Sequence, residues 1–396
     1  MISYGEALKL IASLPMMTEI EAVPLNQATG RTLASDLVSR IPSPPHNSSA
    51  MDGYALRFDD LSKLGVLKVK GSVFAARAAS DQDTSTFNAG ECVRINTRGL
   101  VPEWADTVVQ HESVMLHPDN KISLIGQTKA GENIRWRGED IEEGAPLLKA
   151  GVRISPEISM ILAAFGYDRI PVFKLPNIVI GTSGDEVVEP GNPLEKGTVY
   201  NSNKHFLLAA SRKLGLPIDK ELHLPDDFAG AKAALTQVTN SKPLLMITSG
   251  AVSAGDRDYM PHLAAELGFE ILMHKVAIRP GKPVLLARRG EQIWLGLPGN
   301  PLATCCGWYY FARPILASMA GIPAPRKRLI TLAQDVNKPK HLRCFYRGTS
   351  DGHLVTLHKS QGSAHFLASI NSNTYVELPE GSSTIPAKTE VLAITH

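Results

Sequence analysis

A chain of 396 residues is longer than one ordinary core organises, so about two to four domains are expected. Its 43% apolar and 20% charged composition is that of a globular protein and excludes extensive disorder. A formal net charge of +2 supplies no global field to attract nucleic acid or an anionic membrane, so any anion site has to be built locally.

Residues Met1 to Leu14 carry Glu6 and Lys9 inside an apolar pattern, which reads as an amphipathic helix and not as a secretory leader. Helical pieces with short extended links continue to Arg40. The stretch Ile41-Pro42-Ser43-Pro44-Pro45-His46-Asn47-Ser48-Ser49 is a proline-rich hinge in which helix is excluded. From Leu67 to Gln127 short β-rich runs such as Cys92-Val93-Arg94-Ile95 and Thr107-Val108-Val109 alternate with turn residues, the pattern of a small all-β domain. Pro156 to Phe165 reads as a helix with Ser155 as its N-cap and proline at the first helical position.

From Pro176 to Gly321 the rhythm is strand, glycine turn, helix. Helices are expected over Asn203–Leu214, Phe228–Val238 and Tyr259–Leu267, with a long final helix after Pro301. This alternation predicts a parallel sheet covered by helices on both faces. Beyond Pro323 short strands and turns return, as in a second small β domain. The longest apolar run, Cys305–Gly321, is broken by Arg313 and Pro314 and is not a membrane span. Cys92, Cys305, Cys306 and Cys344 have no CxxC spacing, the usage of a reducing, cytoplasmic compartment.

Ligands of an open parallel sheet bind outside the carboxyl ends of its strands. Three turns occupy that position: Thr182-Ser183-Gly184-Asp185-Glu186, Thr248-Ser249-Gly250-Ala251-Val252-Ser253, and Pro298-Gly299-Asn300-Pro301. Glycine lets backbone N–H groups approach an anion, and a following helix adds partial positive charge. Any one of these glycines could simply make a tight turn, but three in one topological position point to a phosphorylated, nucleotide-like ligand. Asp185, Glu186, Asp256 and Asp258 lie beside them. Mg²⁺ needs one or two such carboxylates beside a phosphoanhydride, although acidic loop residues, Asp256 above all, also serve as solvated surface charge. Arg279-Pro280-Gly281-Lys282-Pro283 is a stiffened turn carrying two cations, suited to an oxyanion. The twelve histidines show no metal-ligand spacing.

Six segments then combine. Ser49-Ala50-Met51-Asp52-Gly53-Tyr54, Gly131-Glu132-Asn133-Ile134-Arg135…Arg137-Gly138-Glu139-Asp140, Ser183-Gly184-Asp185-Glu186, Val199-Tyr200-Asn201-Ser202-Asn203, Pro280-Gly281-Lys282-Pro283 and Leu297-Pro298-Gly299-Asn300-Pro301 stand in the order and spacing of a known family. The chain resembles the molybdopterin molybdenumtransferases, the bacterial MoeA proteins and the gephyrin E domain. The likeness extends to Arg343…Arg347-Gly348 and Gln361-Gly362-Ser363.

The resemblance implies an α/β multidomain chain forming an elongated homodimer. Its parts would be a discontinuous helical and extended N-terminal domain (1–43 with 131–175), an inserted β domain (44–130), a doubly wound α/β molybdopterin-binding domain (176–322) and a C-terminal β domain (323–396). The implied reaction consumes adenylylated molybdopterin and molybdate, requires Mg²⁺ and releases AMP. Asp52, Thr97, Asp140, Glu186 and Asp258 match the family's functional positions, and Arg279 and Lys282 match its cationic pair. Substrate contacts are expected from Ser183, Gly184, Asp185, Ser249, Gly250, Ser253, Arg279, Lys282, Pro298, Gly299, Asn300 and Pro301, and metal contacts from Asp185, Glu186 and Asp258. Implied partners are a second copy of the chain, molybdopterin adenylyltransferase and other cofactor-biosynthesis proteins, with neither nucleic acid nor membrane.

The chain departs from the family pattern at several of these places. Thr97-Arg98-Gly99 stands for Thr-Gly-Ala, Gly250-Ala251 for Gly-Gly, Arg279 for Lys and Ala303 for Ser. Asn201 stands for an aspartate associated with the metal, and a neutral amide binds a cation less well. Asn201 and Ala251 are the features that would favour a second possibility, a molybdopterin carrier or scaffold without turnover. A third, an adenylyltransferase, is argued against by the additional domains carrying Asp52 and Asp140.

Overall fold

The computed structural model describes residues 1–16, 19–73, 87–252, 259–362 and 366–395. They form two compact units: Met1–Val23, Ala28–Ala34 and Pro171–His396 in one, Pro24–Gln27 and Ser35–Ile170 in the other.

The second unit is built on a six-stranded sheet in the order Thr107–Gln110, Gly53–Leu56, Glu91–Ile95, Val66–Val73, Lys121–Leu124, Val114–His117. Successive side chains of a strand point to opposite faces. Tyr54, Leu56 and Cys92 accordingly pack in one cluster, while Ala55, Val93 and Ile95 pack in another. The helix Pro156–Ala164 starts as the sequence predicts, with the Ser155 side chain accepting from the Ile158 N–H and proline in the first turn.

In the first unit helix α1 (Tyr4–Ala12) leads, followed far along the chain by β1 (Ile178–Ser183), α2 (Ser202–Arg212), β2 (Ile218–Leu224), α3 (Phe228–Asn240), β3 (Leu245–Ser249), α4 (Met260–Glu266), β4 (Glu270–His274), β5 (Leu285–Arg289), β6 (Gln292–Leu297), α5 (Pro301–Gly307) and α6 (Arg313–Ala320). The sheet order is β2-β1-β3-β6-β5-β4. Ile178, Ile180, Leu245, Ile247, Ile293 and Leu295 meet residues of α1, α2, α5 and α6 on one face. Val179, Met246 and Trp294 meet α3 and α4 on the other. The three-layer expectation therefore holds.

The sheet is mixed and not wholly parallel, however. β1, β2, β3 and β6 run parallel, whereas β5 is antiparallel to both β6 and β4. The cause is local: Arg289 pairs with Gln292, so only Gly290-Glu291 joins β5 to β6, and a two-residue turn can join only antiparallel strands. The long final helix also divides, with a π-helical turn at Trp308–Ala312 between α5 and α6. Pro314 has no N–H to give the Tyr310 carbonyl one turn back, and that oxygen accepts instead from the Tyr4 hydroxyl at 3.4 Å.

The C-terminal strands Lys327–Leu332, Arg343–Ser350, Leu354–Leu357, Thr374–Leu378 and Glu390–Thr395 form a ring, because Arg343–Ser350 pairs with both Leu354–Leu357 and Thr374–Leu378. Among the described residues no helix is long and apolar enough to cross a membrane.

Candidate functional site

A cavity of about 700 Å³ opens beyond the carboxyl ends of β1 and β3. It is lined by Ser183, Gly184, Glu186, Asn201, Ser202, Asn203, Asp226, Ser249, Gly250, Ala251, Gly299 and Pro301, among others. All three glycine turns singled out in the sequence thus contribute to one wall, as the topology of a doubly wound sheet requires. Ser253 and Asp258, with Asp256, lie outside the described residues.

The packing at Gly250 explains its identity. Its φ of +106° is a conformation L side chains rarely adopt, and a Cβ there would lie 2.2 Å from Ser183 Oγ. Its N–H donates to the Leu297 carbonyl at 3.0 Å, fastening the β3 turn to the end of β6. Ser249 Oγ donates to the Pro298 carbonyl at 3.0 Å and sits 3.1 Å from Thr304 Oγ1. Asn203 Nδ2 donates to Ser249 Oγ at 2.9 Å and to the Gly299 carbonyl at 2.8 Å. That carbonyl can only accept, so the Asn203 amide orientation is determined. Among the described residues Asn203 Oδ1 is left as a buried acceptor without a partner. The side chain of Asn300 is spent on capping α5, accepting from the Leu302 and Ala303 N–H groups.

The carboxylates are arranged differently from the sequence expectation. Glu186 lines the cavity and Asp185 does not, but Asp185 is joined to a residue that the sequence reading passed over. The Asp185 N–H donates to Asp226 Oδ2 at 3.3 Å, and the Asp226 N–H donates to Asp185 Oδ1 at 3.2 Å. Asp226 lies two residues beyond the end of β2, the topological position that singled out the other three turns, and only its lack of a glycine hid it. Among the described residues no group of three or more His, Cys, Asp or Glu is arranged to hold a metal ion.

Asn201 lines the cavity yet is 2% exposed and fully engaged. It caps α2 by accepting from the Lys204 N–H at 3.1 Å, and its Nδ2 donates to Thr182 Oγ1 at 2.8 Å and Glu189 Oε1 at 3.1 Å. Glu189 in turn pairs with Lys204 at 2.7 Å. Asn201 is therefore a helix cap whose bonds run to Thr182, Glu189 and Lys204. Its side chain bonds to neither Asp185 nor Glu186.

Arg279 and Lys282 are exposed and do not line the cavity. Arg279 pairs with Cys344 of the strand Arg343–Ser350; burial pushes the Cys344 thiol and the Tyr346 phenol up, and the Arg279 charge opposes that rise. A Cβ on Gly281 would lie 3.7 Å from the Ala303 carbonyl, so the turn rests on the first turn of α5.

In the other unit Asp52 and Thr97 come together. The Thr97 N–H and hydroxyl both donate to Asp52 Oδ1, at 2.6 and 2.8 Å. These bonds, first the backbone and then the hydroxyl, hold the Asp52 carboxyl below its usual range. Asp140 is exposed, and its N–H donates to the Ser43 carbonyl at 3.0 Å. Arg98 and Ala251, which stand where the family pattern has glycine, adopt φ values of +66° and +51°. A Cβ on Gly99 would lie 2.7 Å from Ile95 Cγ1. Ala251→Gly is therefore expected to raise the unfolding free energy by about 0.5–1 kcal/mol, the relief of left-handed strain exceeding the extra entropy of the unfolded glycine. Urea denaturation tests this, and a loss of stability would contradict it.

Comparison with known proteins agrees with this geometry. Residues 2–166 match the family described as MoeA N-terminal region (domain I and II), and residues 179–318 match a probable molybdopterin binding domain. A molybdopterin molybdenumtransferase of Synechococcus elongatus is 36% identical over 403 aligned residues, covering 98% of both chains. One from Haemophilus influenzae is 31% identical, covering 96% of this chain and 94% of its own. The crystal structure of a molybdopterin biosynthesis MoeA protein from Pyrococcus horikoshii superposes with a TM-score of 0.85 at 28% identity, covering 100% of this chain and 98% of its own.

Proposed function

Because this chain belongs to the molybdopterin molybdenumtransferase family and is a transferase of molybdenum cofactor biosynthesis, we propose that it inserts molybdate into adenylylated molybdopterin with Mg²⁺ and releases AMP. The observation that carries this reading is the cavity bounded by Ser183, Ser249, Gly250 and Gly299 with Glu186 and Asp226 in its wall. The hydroxyls and the first turn of α2 suit a phosphate, since the N-terminal end of a helix favours negative charge. The unpartnered Asn203 Oδ1 suits an N–H or O–H of the ligand.

Glu186 and Asp226, the latter bonded reciprocally with Asp185, would hold Mg²⁺. The ion binds through one or two carboxylates, ligand phosphates and waters, so no complete protein cage is needed. When bound it would neutralise charge on the phosphoanhydride. Arg279 and Lys282 form no ion pair among the described residues, and their charge is available to the molybdate dianion. Asp52, held ionised by Thr97, and Asp140 belong to the same proposal through the family pattern, in a homodimer.

The decisive assay measures AMP release from adenylylated molybdopterin, with and without molybdate and Mg²⁺. Release that needs both is the expected result. Tight binding of the pterin nucleotide with no AMP under any condition would favour a carrier.

A further inference from the structure

Three loops leave the carboxyl ends of β1, β2 and β3, and they bring like charges together. Asp185 sits on the first, and Asp226 and Asp227 on the second. Carboxylates so placed repel, and the two reciprocal amide bonds between Asp185 and Asp226 are long, at 3.3 and 3.2 Å, on a rim open to solvent. Something further has to hold the second loop in place.

Tyr259 immediately precedes α4 and is 7% exposed. Its hydroxyl donates to the Pro225 carbonyl at 2.6 Å, one residue before Asp226. Its ring meets Phe228, the first residue of α3, edge-on at 6.4 Å. Ser183, the residue that covers Gly250, also hydrogen-bonds this phenol. One buried hydroxyl thus touches the last residue of β1 and the loop after β2 from the residue that precedes α4. Burial, followed by the charges of Asp226, Asp185 and Asp227, pushes the phenol up to about 12, so it stays protonated and keeps its donor.

We propose that Tyr259 is a positioning residue whose hydroxyl, through the Pro225 carbonyl, sets the Asp226 carboxylate in the cavity wall. The functional part rests on the reading of the cavity given above. The positioning part does not.

Tyr259→Phe keeps the ring and removes only the hydroxyl. Amide hydrogen exchange reads positioning without any ligand, because the Asp185 and Asp226 N–H groups are the reciprocal donors. The variant should exchange these two amides about five- to tenfold faster, with the Ile247 amide in β3 unchanged. Ser183→Ala keeps the bond to Pro225 and should leave the Asp226 amide protected. In the turnover assay, Tyr259→Phe should raise the Mg²⁺ needed for half-maximal AMP release about three- to tenfold, with kcat at saturating Mg²⁺ within about twofold of the parent. Unchanged exchange at Asp185 and Asp226 would overturn the proposal, as would equal acceleration throughout β3 and α4. Should the parent chain release no AMP, the functional reading fails, while the exchange data still decide the role of Tyr259.

Discussion

Gly250→Ala will destabilise the first unit and damage the cavity together. The backbone there sits at φ +106°, and the new Cβ would fall 2.2 Å from Ser183 Oγ and 3.1 Å from the Ser183 carbonyl. Backbone strain of about 1–3 kcal/mol adds to overpacking of similar size, for a loss of about 2–5 kcal/mol in urea denaturation. The hydroxyl of Ser183 can turn away, but its carbonyl belongs to β1 and cannot. Adding Ser183→Ala should therefore recover part of the loss and leave the rest, a coupling that a double-mutant cycle reads directly. Affinity for AMP, measured by calorimetry, should fall in both variants, since Ser183 and Gly250 line the same wall. A Gly250→Ala protein with parental stability and AMP affinity would mean that the turn is free to rearrange.

The second large effect concerns a residue that does not line the cavity. Glu377 is 5% exposed, and its two oxygens meet Lys327 Nζ and Arg343 Nη1, each at 2.6 Å. Arg343 also pairs with Glu380 at 2.8 Å. Removing one partner of a buried pair leaves the other uncompensated, at a cost of about 3–5 kcal/mol. Lys327 and Arg343 reach some solvent and Arg343 keeps Glu380, so Glu377→Ala is expected near the lower end, at about 3 kcal/mol. The consequences should reach α1, because both cations lie over the ring of Tyr4, at 5.4 and 5.5 Å from its centroid. Amide exchange of α1 should accelerate along with that of the C-terminal strands. A loss below about 1 kcal/mol would show that water substitutes for the carboxylate.

Local periodicity made much of the α/β unit legible. The helices over 202–212, 228–240 and 260–266 fall within a few residues of their expected positions, because each is an amphipathic run ended by turn residues. The glycine turns after β1, β3 and β6 were legible for the same reason. Asp226 was not: an aspartate after a strand has no local mark, and its place in the cavity wall comes only from β2 lying beside β1. Asn201 lines the cavity with Glu186, but the bonds of its side chain had no local mark: they run to Thr182, nineteen residues earlier, to Glu189 and to the cap it makes for α2.

The sequence by itself determined the order of the elements, the three-layer α/β unit and the motifs that carry the family resemblance, because each depends on neighbours within a turn or two of the chain. Tertiary structure alone decided the rest. The ring of C-terminal strands and the seating of Tyr4 on Tyr310, 306 residues away, are pairings between distant segments. Such pairings are chosen by which apolar faces can be buried together, a property of the whole chain that no local window contains.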